Sequence, residues 1–426
     1  MSYGYLLQLG IILVSTKLLG IATGRLQLPQ VVGALLAGLV LGPAVLGVLQ
    51  PTDFLSQLAE MGVIVIMFSA GMGTSLRDLK NSGKAGFLVA LCGVLVPLGL
   101  GAALMAAFYP GGSLLQNLFL GTVLTATSVS ITVETLKELG RLSTRVGNTI
   151  LAAALIDDIL GLVCLTVVTS LAGQKVSILW VLARILLFFV FAIAVGWGFD
   201  RLFTWYDKLV KDRNLHRFPI LAFALCLFMA WAAEALFGVA DIIGAFAAGL
   251  IVAATPKGAY IAEKCAPLSY LLLTPVFFAN IGLGVTLPAM SGRVLLFSVL
   301  LVLVGILSKL VGCGLGARAC GFKLRQCVQT GVGMACRGEV ALIVANKGIA
   351  MGMIDMDCFG PIIIMVVCCA VFTPILLKAA FKGEPAYDSL EESTLVDRYE
   401  LGGQVDIVTS RLLEANDKHL AGKQGG

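Results

Sequence analysis

Residues 150–168 read ILAAALIDDILGLVCLTVV, and within them only Asp157 and Asp158 carry charge. A lipid-crossing helix needs about 20 mostly apolar residues, so the stretch reads as a membrane span. A charge at the bilayer centre costs about 2.5–3.5 kcal/mol on insertion scales, and such residues usually serve a pathway. Two adjacent carboxylates at mid-span therefore point to a membrane protein that handles ions or protons.

The rest of the chain agrees. Of its 426 residues, 58% are hydrophobic and 13% are charged, against about 25% charged in soluble domains. The net charge of +5 bears on membrane topology and gives no reason to expect a nucleic-acid partner. The opening MSYGYLLQLGIILV lacks a basic leader and reads as a first span. Eleven cysteines are scattered through apolar runs, and the only histidines are His216 and His419. With no CxxC, the cysteines read as packing residues rather than a disulfide or metal framework.

Apolar runs predict about thirteen spans: 4–23, 30–49, 54–73, 85–108, 114–137, 146–171, 177–204, 217–236, 239–255, 260–288, 293–318, 325–350 and 358–380. Residues 384–426 read as a short polar cytoplasmic tail. Lys and Arg concentrate after odd-numbered spans, as at Arg77, Lys80 and Lys84 and at Lys137, Arg141 and Arg145. The positive-inside rule puts that side in the cytoplasm, with the N-terminus outside.

The chain resembles itself at an offset of about 210 residues, the sign of internal repetition seen in transporters. VVGALLAGLV (31–40) matches IIGAFAAGLI (242–251), and FSAGMGTSL (68–76) parallels FANIGLGVTL (278–287). GTVLTATSVSITVETLKELG (121–140) lies opposite GVGMACRGEVALIVANKGIA (331–350). The offset crosses seven spans, an odd number, so the second copy enters the membrane inverted. Two inverted six-helix repeats, about 1–171 and 217–380, with a linker helix at about 177–204, form a transmembrane domain over 1–383. Inverted repeats are a recurring design of secondary transporters, with the site at the midplane between them.

Further polar groups fall at mid-membrane. Lys309 lies in span eleven, Arg337 and Glu339 in span twelve, and Thr125, Thr127 and Ser128 in span five. Thr127 aligns with Arg337 in the repeat, and Ser128 with Gly338. Small, polar and β-branched residues interrupt span five, and Gly331, Gly333 and Gly338 loosen span twelve, so both read as discontinuous helices. Half-helix ends carry partial charges that attract or repel ions. Adjacent helical residues diverge by about 100°, so the two aspartates divide their labour. One faces a basic partner, for which Lys309 is the obvious choice because a buried ammonium needs a counter-ion. The other faces an aqueous cavity and holds either a proton or a small hard cation. Arg337 and Glu339 are expected to support the site, either functionally or by pairing to brace the broken helix.

The motifs TATSVSIT (125–132), LIDDILGL (155–162), GAFAAGL (244–250), FFANIGL (277–283), LSKLVG (307–312) and MACRGEVALI (334–343) resemble those of the monovalent cation/proton antiporter superfamily. Within its second branch the likeness is to NapA-like sodium/proton antiporters with an Asp-Asp motif, over about residues 1–380. The resemblance implies an all-α polytopic fold, with a core domain of crossed discontinuous helices and a separate dimerisation domain. It implies a homodimer in the plasma (inner) membrane that works by elevator-like alternating access, with no cofactor. Asp158 would match the essential ion- and proton-binding carboxylate. Asp157 would match the one bridged to Lys309, and both serve the transported metal cation; Thr127 and Ser128 would match the unwound crossover. An Asp-Asp pair implies electrogenic exchange of Na⁺ or Li⁺ for more than one proton, with Lys309 a second proton carrier. The sequence departs from relatives that carry a proline near MACRGEV. A K⁺/H⁺ antiporter on the same fold is the main rival. A non-transporting sensor and an intramembrane aspartyl protease are remote ones, the protease because its two carboxylates must face each other across a water.

Overall fold

The computed structural model describes residues 4–25, 29–171, 178–209, 217–285 and 292–383, so the tail expected over 384–426 lies outside the described residues. Among the described residues the secondary structure is helical throughout. In chain order the helices are α1 (Gly4–Arg25), α2 (Gln30–Leu41), α3 (Asp53–Met72), α4 (Leu76–Phe108), α5 (Leu114–Thr125), α6 (Val129–Glu138), α7 (Arg145–Leu171) and α8 (Ile178–Leu209). They continue with α9 (Arg217–Phe237), α10 (Asp241–Ala253), α11 (Gly258–Leu268), α12 (Thr274–Leu283), α13 (Gly292–Ala319), α14 (Leu324–Gly333), α15 (Glu339–Ala350) and α16 (Phe359–Phe381). Backbone polar groups in lipid must be satisfied within the segment, which is why these apolar runs coil into helices.

Ten helical stretches among the described residues are long and apolar enough to cross a membrane. The expected spans 30–49 and 239–255 are shorter than predicted: α2 has 12 residues and α10 has 13. At 1.5 Å per residue each reaches roughly 20 Å, short of a bilayer core of about 30 Å. Gly42 and Pro43 follow α2, and Pro256 stands just beyond α10, where a proline cannot continue the ladder.

The two interrupted spans are broken in the structure. The first break is residues 126–128, between α5 and α6; the second is 334–338, between α14 and α15. Gly331 and Gly333 do not make the second break, because both remain helical inside α14.

The helices pack in two groups. α4, α5, α7, α13, α14, α15 and α16 pack on one another around the breaks, and α6 joins them through α7 and α16. α1, α2, α3, α9, α10, α11 and α12 form the second group, with α8 against α7, α9 and α10. The groups meet where α6 and α16 touch α2, where α6 touches α3, and where α8 touches α7.

Candidate functional site

α7 carries the aspartate pair into the first helix group, facing α4 and the α5 break. Lys309 on α13 and Asp157 are both buried, and the ammonium donates to Asp157 Oδ1 at 2.6 Å. The Thr127 hydroxyl, in the first break, donates to Asp157 Oδ2 at 2.7 Å. Both oxygens of Asp157 are thus engaged. Asp158, turned about 100° further round the helix, is partly exposed.

Cys313 on α13 can pack this close to α4, beside the ion pair, because residue 93 is glycine. A Cβ there would lie 2.5 Å from Cys313 Sγ, and 3.6 Å from both Asp157 Oδ1 and Lys309 Nζ. Gly93→Ala is expected to destabilise the protein by about 1–3 kcal/mol, the usual range for overpacking. Adding Cys313→Ala should recover most of that loss in an unfolding titration. An equal loss with and without Cys313 would mean the clash is not the cause.

The two breaks cross and bind each other. Ser128 N–H donates to Cys336 O at 3.0 Å, and the Thr132 hydroxyl donates to Gly333 O at 2.8 Å. Gly338 permits the contact, since a Cβ there would meet Ser128 Oγ at 2.7 Å. The Ser128 hydroxyl lies 3.4 Å from that of Ser130. The break therefore brings Thr127 to the Asp157 carboxylate, while Ser128 serves the crossing.

Arg337 is completely buried in the second break. Its Nη1 donates to Ala126 O at 3.1 Å and its Nη2 to Gly305 O at 3.0 Å. Ala126 is the C-cap of α5, where unsatisfied carbonyls give a helix end its negative partial charge. The guanidinium neutralises that end and ties it to α13, one turn before Lys309. The bracing role is thus made through backbone carbonyls rather than through an observed pair with Glu339. Glu339 opens α15, and its side chain lies outside the described residues. The N-termini of α6 and α15 begin in the breaks without a side-chain cap, so two positive helix ends also face the crossing.

Gly93 and the two carbonyl acceptors were not anticipated from sequence. Gly93 is one of 49 glycines, and a carbonyl acceptor carries no side-chain identity. No periodicity separates them from their neighbours.

A family profile described as sodium/hydrogen exchanger, transmembrane, matches residues 11–383. The chain belongs to the sodium/hydrogen exchanger family. Among relatives of this exchanger is the Na⁺/H⁺-K⁺ antiporter GerN of Bacillus cereus, 38% identical over 89% of this chain and 97% of its own. Another is a Na⁺/H⁺ antiporter of Enterococcus hirae, 36% identical over 86% of this chain and 96% of its own. The solved structure of the sodium proton antiporter MjNhaP1 from Methanocaldococcus jannaschii superposes with a TM-score of 0.62 at 19% identity, covering 89% of this chain and 96% of that one. That likeness establishes the antiporter fold. The family places the exchanger within the cation/proton antiporters, which are secondary transporters and not enzymes. The protease geometry is also missing: Asp157 and Asp158 are neighbours on one helix, and Asp157 is taken by Lys309 and Thr127.

Proposed function

We propose that this protein is a secondary active Na⁺(Li⁺)/H⁺ antiporter of the NapA-like type, in which Asp158 is the exchanging carboxylate. The observation that carries this reading is the saturation of Asp157 by Lys309 and Thr127, next to a partly exposed Asp158 one residue along α7. A carboxylate that accepts a proton or a hard cation, but not both, exchanges one for the other. Carboxylate and carbonyl oxygens suit such cations. The transported ions are substrates, and no cofactor is required. Glu339 is assigned a supporting role beside Arg337.

The two helix groups support a moving core, with α5/α6 and α14/α15 at its centre, against a scaffold that forms a homodimer. The inverted repeats at about 1–171 and 217–380 give each protomer an internal pseudo-two-fold, on which alternating access rests. The protein lies in the plasma (inner) membrane with its N-terminus outside and the 384–426 tail in the cytoplasm. Exchange is electrogenic: Lys309 releases its proton when the Asp157 bridge opens and regains it when the bridge reforms. Lys309→Gln is expected to leave exchange running but insensitive to membrane potential. Unchanged voltage dependence in that variant would remove the proton-carrying role.

K⁺ is a second substrate to test, because the name of the relative GerN includes K⁺ as well as Na⁺. The deciding experiment is reconstitution into liposomes with a pH-reporting dye inside and the potential clamped. Addition of Na⁺ or Li⁺ is expected to drive voltage-dependent proton movement. A response to K⁺ alone would change the substrate, and no response from folded, inserted protein would favour a sensor.

A further inference from the structure

The two helix groups are joined at one point by a carboxylate. Glu138 is the last residue of α6, and Gln30 is the first of α2. Gln30 N–H donates to both Glu138 carboxylate oxygens, at 2.7 and 2.9 Å. The residues are 108 apart in sequence, and the bond spans the boundary between the groups.

Each helix end by itself makes this arrangement unusual. A carboxylate at the C-terminus of its own helix opposes the macrodipole, whereas at the N-terminus of another helix it is favourable. α2 starts after Pro29 and has no side-chain cap of its own. Glu138 supplies that cap from the opposite group. α6 ends rigidly: Arg141 N–H donates to Leu136 O at 2.7 Å and Gly140 N–H to Lys137 O at 3.0 Å, with Gly140 at φ 65°. These bonds close the helix in a Schellman turn, which fixes the carboxylate where α2 begins.

The charged groups around Glu138 are few. Glu134 lies one turn back on α6, 3.8 Å from Lys137 Nζ. Lys378 reaches the carboxylate electrostatically from α16. α2 contributes the backbone N–H groups of Gln30 and Val31, and α3 has its only charges, Asp53 and Glu60, in its first half.

We propose that the Glu138 carboxylate is a latch that closes the seam between the moving core and α2, and that it releases when the core moves. The inference rests on the antiport reading for its role in the cycle. Glu138 thereby acts as a gating residue, distant from the exchanging carboxylate.

Two variants test it from opposite ends of the bond. Glu138→Ala removes the acceptor. Gln30→Pro removes one of the two N–H donors while leaving α2 intact: Pro29 has φ −56° and ψ 142°, the extended conformation a residue before proline adopts, and proline suits the first helical position. Spin labels introduced as unnatural amino acids at Leu18 on α1 and Leu324 on α14, both exposed, would report the separation of the groups. Glu138→Ala is expected to shift the closed-to-open ratio about fivefold toward open, the scale of a lost helix cap, and Gln30→Pro to shift it in the same direction. The double variant should shift it no further than Glu138→Ala alone. Unchanged distances in either variant, or shifts that multiply in the double, would overturn the latch. If wild type moves no cation while its distances respond to Glu138→Ala, the antiport reading fails and the latch stands. If wild type exchanges cations while the distances in Glu138→Ala stay as in wild type, the latch fails and the antiport reading stands.

Discussion

Asp158→Asn is expected to reduce cation-driven proton movement to the level of empty liposomes, while the protein still folds and inserts. The amide keeps the shape of the side chain but cannot gain or lose a proton, and it offers a cation no charge. Folding should survive, because a partly buried carboxylate must be kept solvated or neutralised, and an amide removes that demand. The melting temperature in detergent should therefore hold or rise. Asp157→Asn is the matched control one residue away: it should lower stability, because it leaves Lys309 buried without its counter-ion. Exchange at wild-type rates in Asp158→Asn would reassign the site. Loss of exchange accompanied by loss of folding would point to a structural role for Asp158.

The second large effect is expected in the ion pair. Removing one partner of a buried pair leaves an uncompensated charge in a low-dielectric interior, at about 3–5 kcal/mol. Lys309→Met and Asp157→Asn should each lose stability on that scale. The double variant should recover most of it, because replacing both charges by neutral groups is often near neutral. The cycle should therefore show strong coupling, beyond the few tenths of a kcal/mol by which distant sites deviate from additivity. Unfolding of the four proteins in one detergent would measure it. Additive losses would mean that the 2.6 Å contact contributes little, and that each residue is held by other neighbours. In the double variant Asp158 remains, so any residual exchange should be electroneutral.

Much of the site could be reached from sequence because a lipid environment makes local errors expensive. Two carboxylates, an ammonium and a guanidinium in apolar runs had to find partners. Asp157, Asp158, Lys309 and Arg337 therefore stood out without any knowledge of what they touch. The same physics exposed the breaks near Thr127 and Gly338, since an interrupted ladder in lipid leaves groups that only protein or a cavity can satisfy. Periodicity alone did not say which aspartate meets Lys309. It said only that the two point apart, and the resemblance to known antiporters supplied the assignment.

Other features depend on atoms that the sequence does not distinguish. Arg337 invited pairing with Glu339 two residues away. In the fold its acceptors are backbone oxygens of Ala126 and Gly305, 211 and 32 residues distant. Glu138 reads as an ordinary charge at the end of a span, and its partner is a backbone N–H in α2. The shortening of α2 and α10 was likewise missed, because a hydropathy window spreads across the turns that follow them. By itself the sequence determined an all-helical membrane protein with an acidic pair, a buried lysine and two interrupted helices, since each follows from local transfer free energies. Only the tertiary structure decided which oxygen of Asp157 each donor takes, where Arg337 and Glu138 find partners, and which helices pack as a group. Those outcomes depend on backbone groups brought together across the chain, and every residue carries the same backbone.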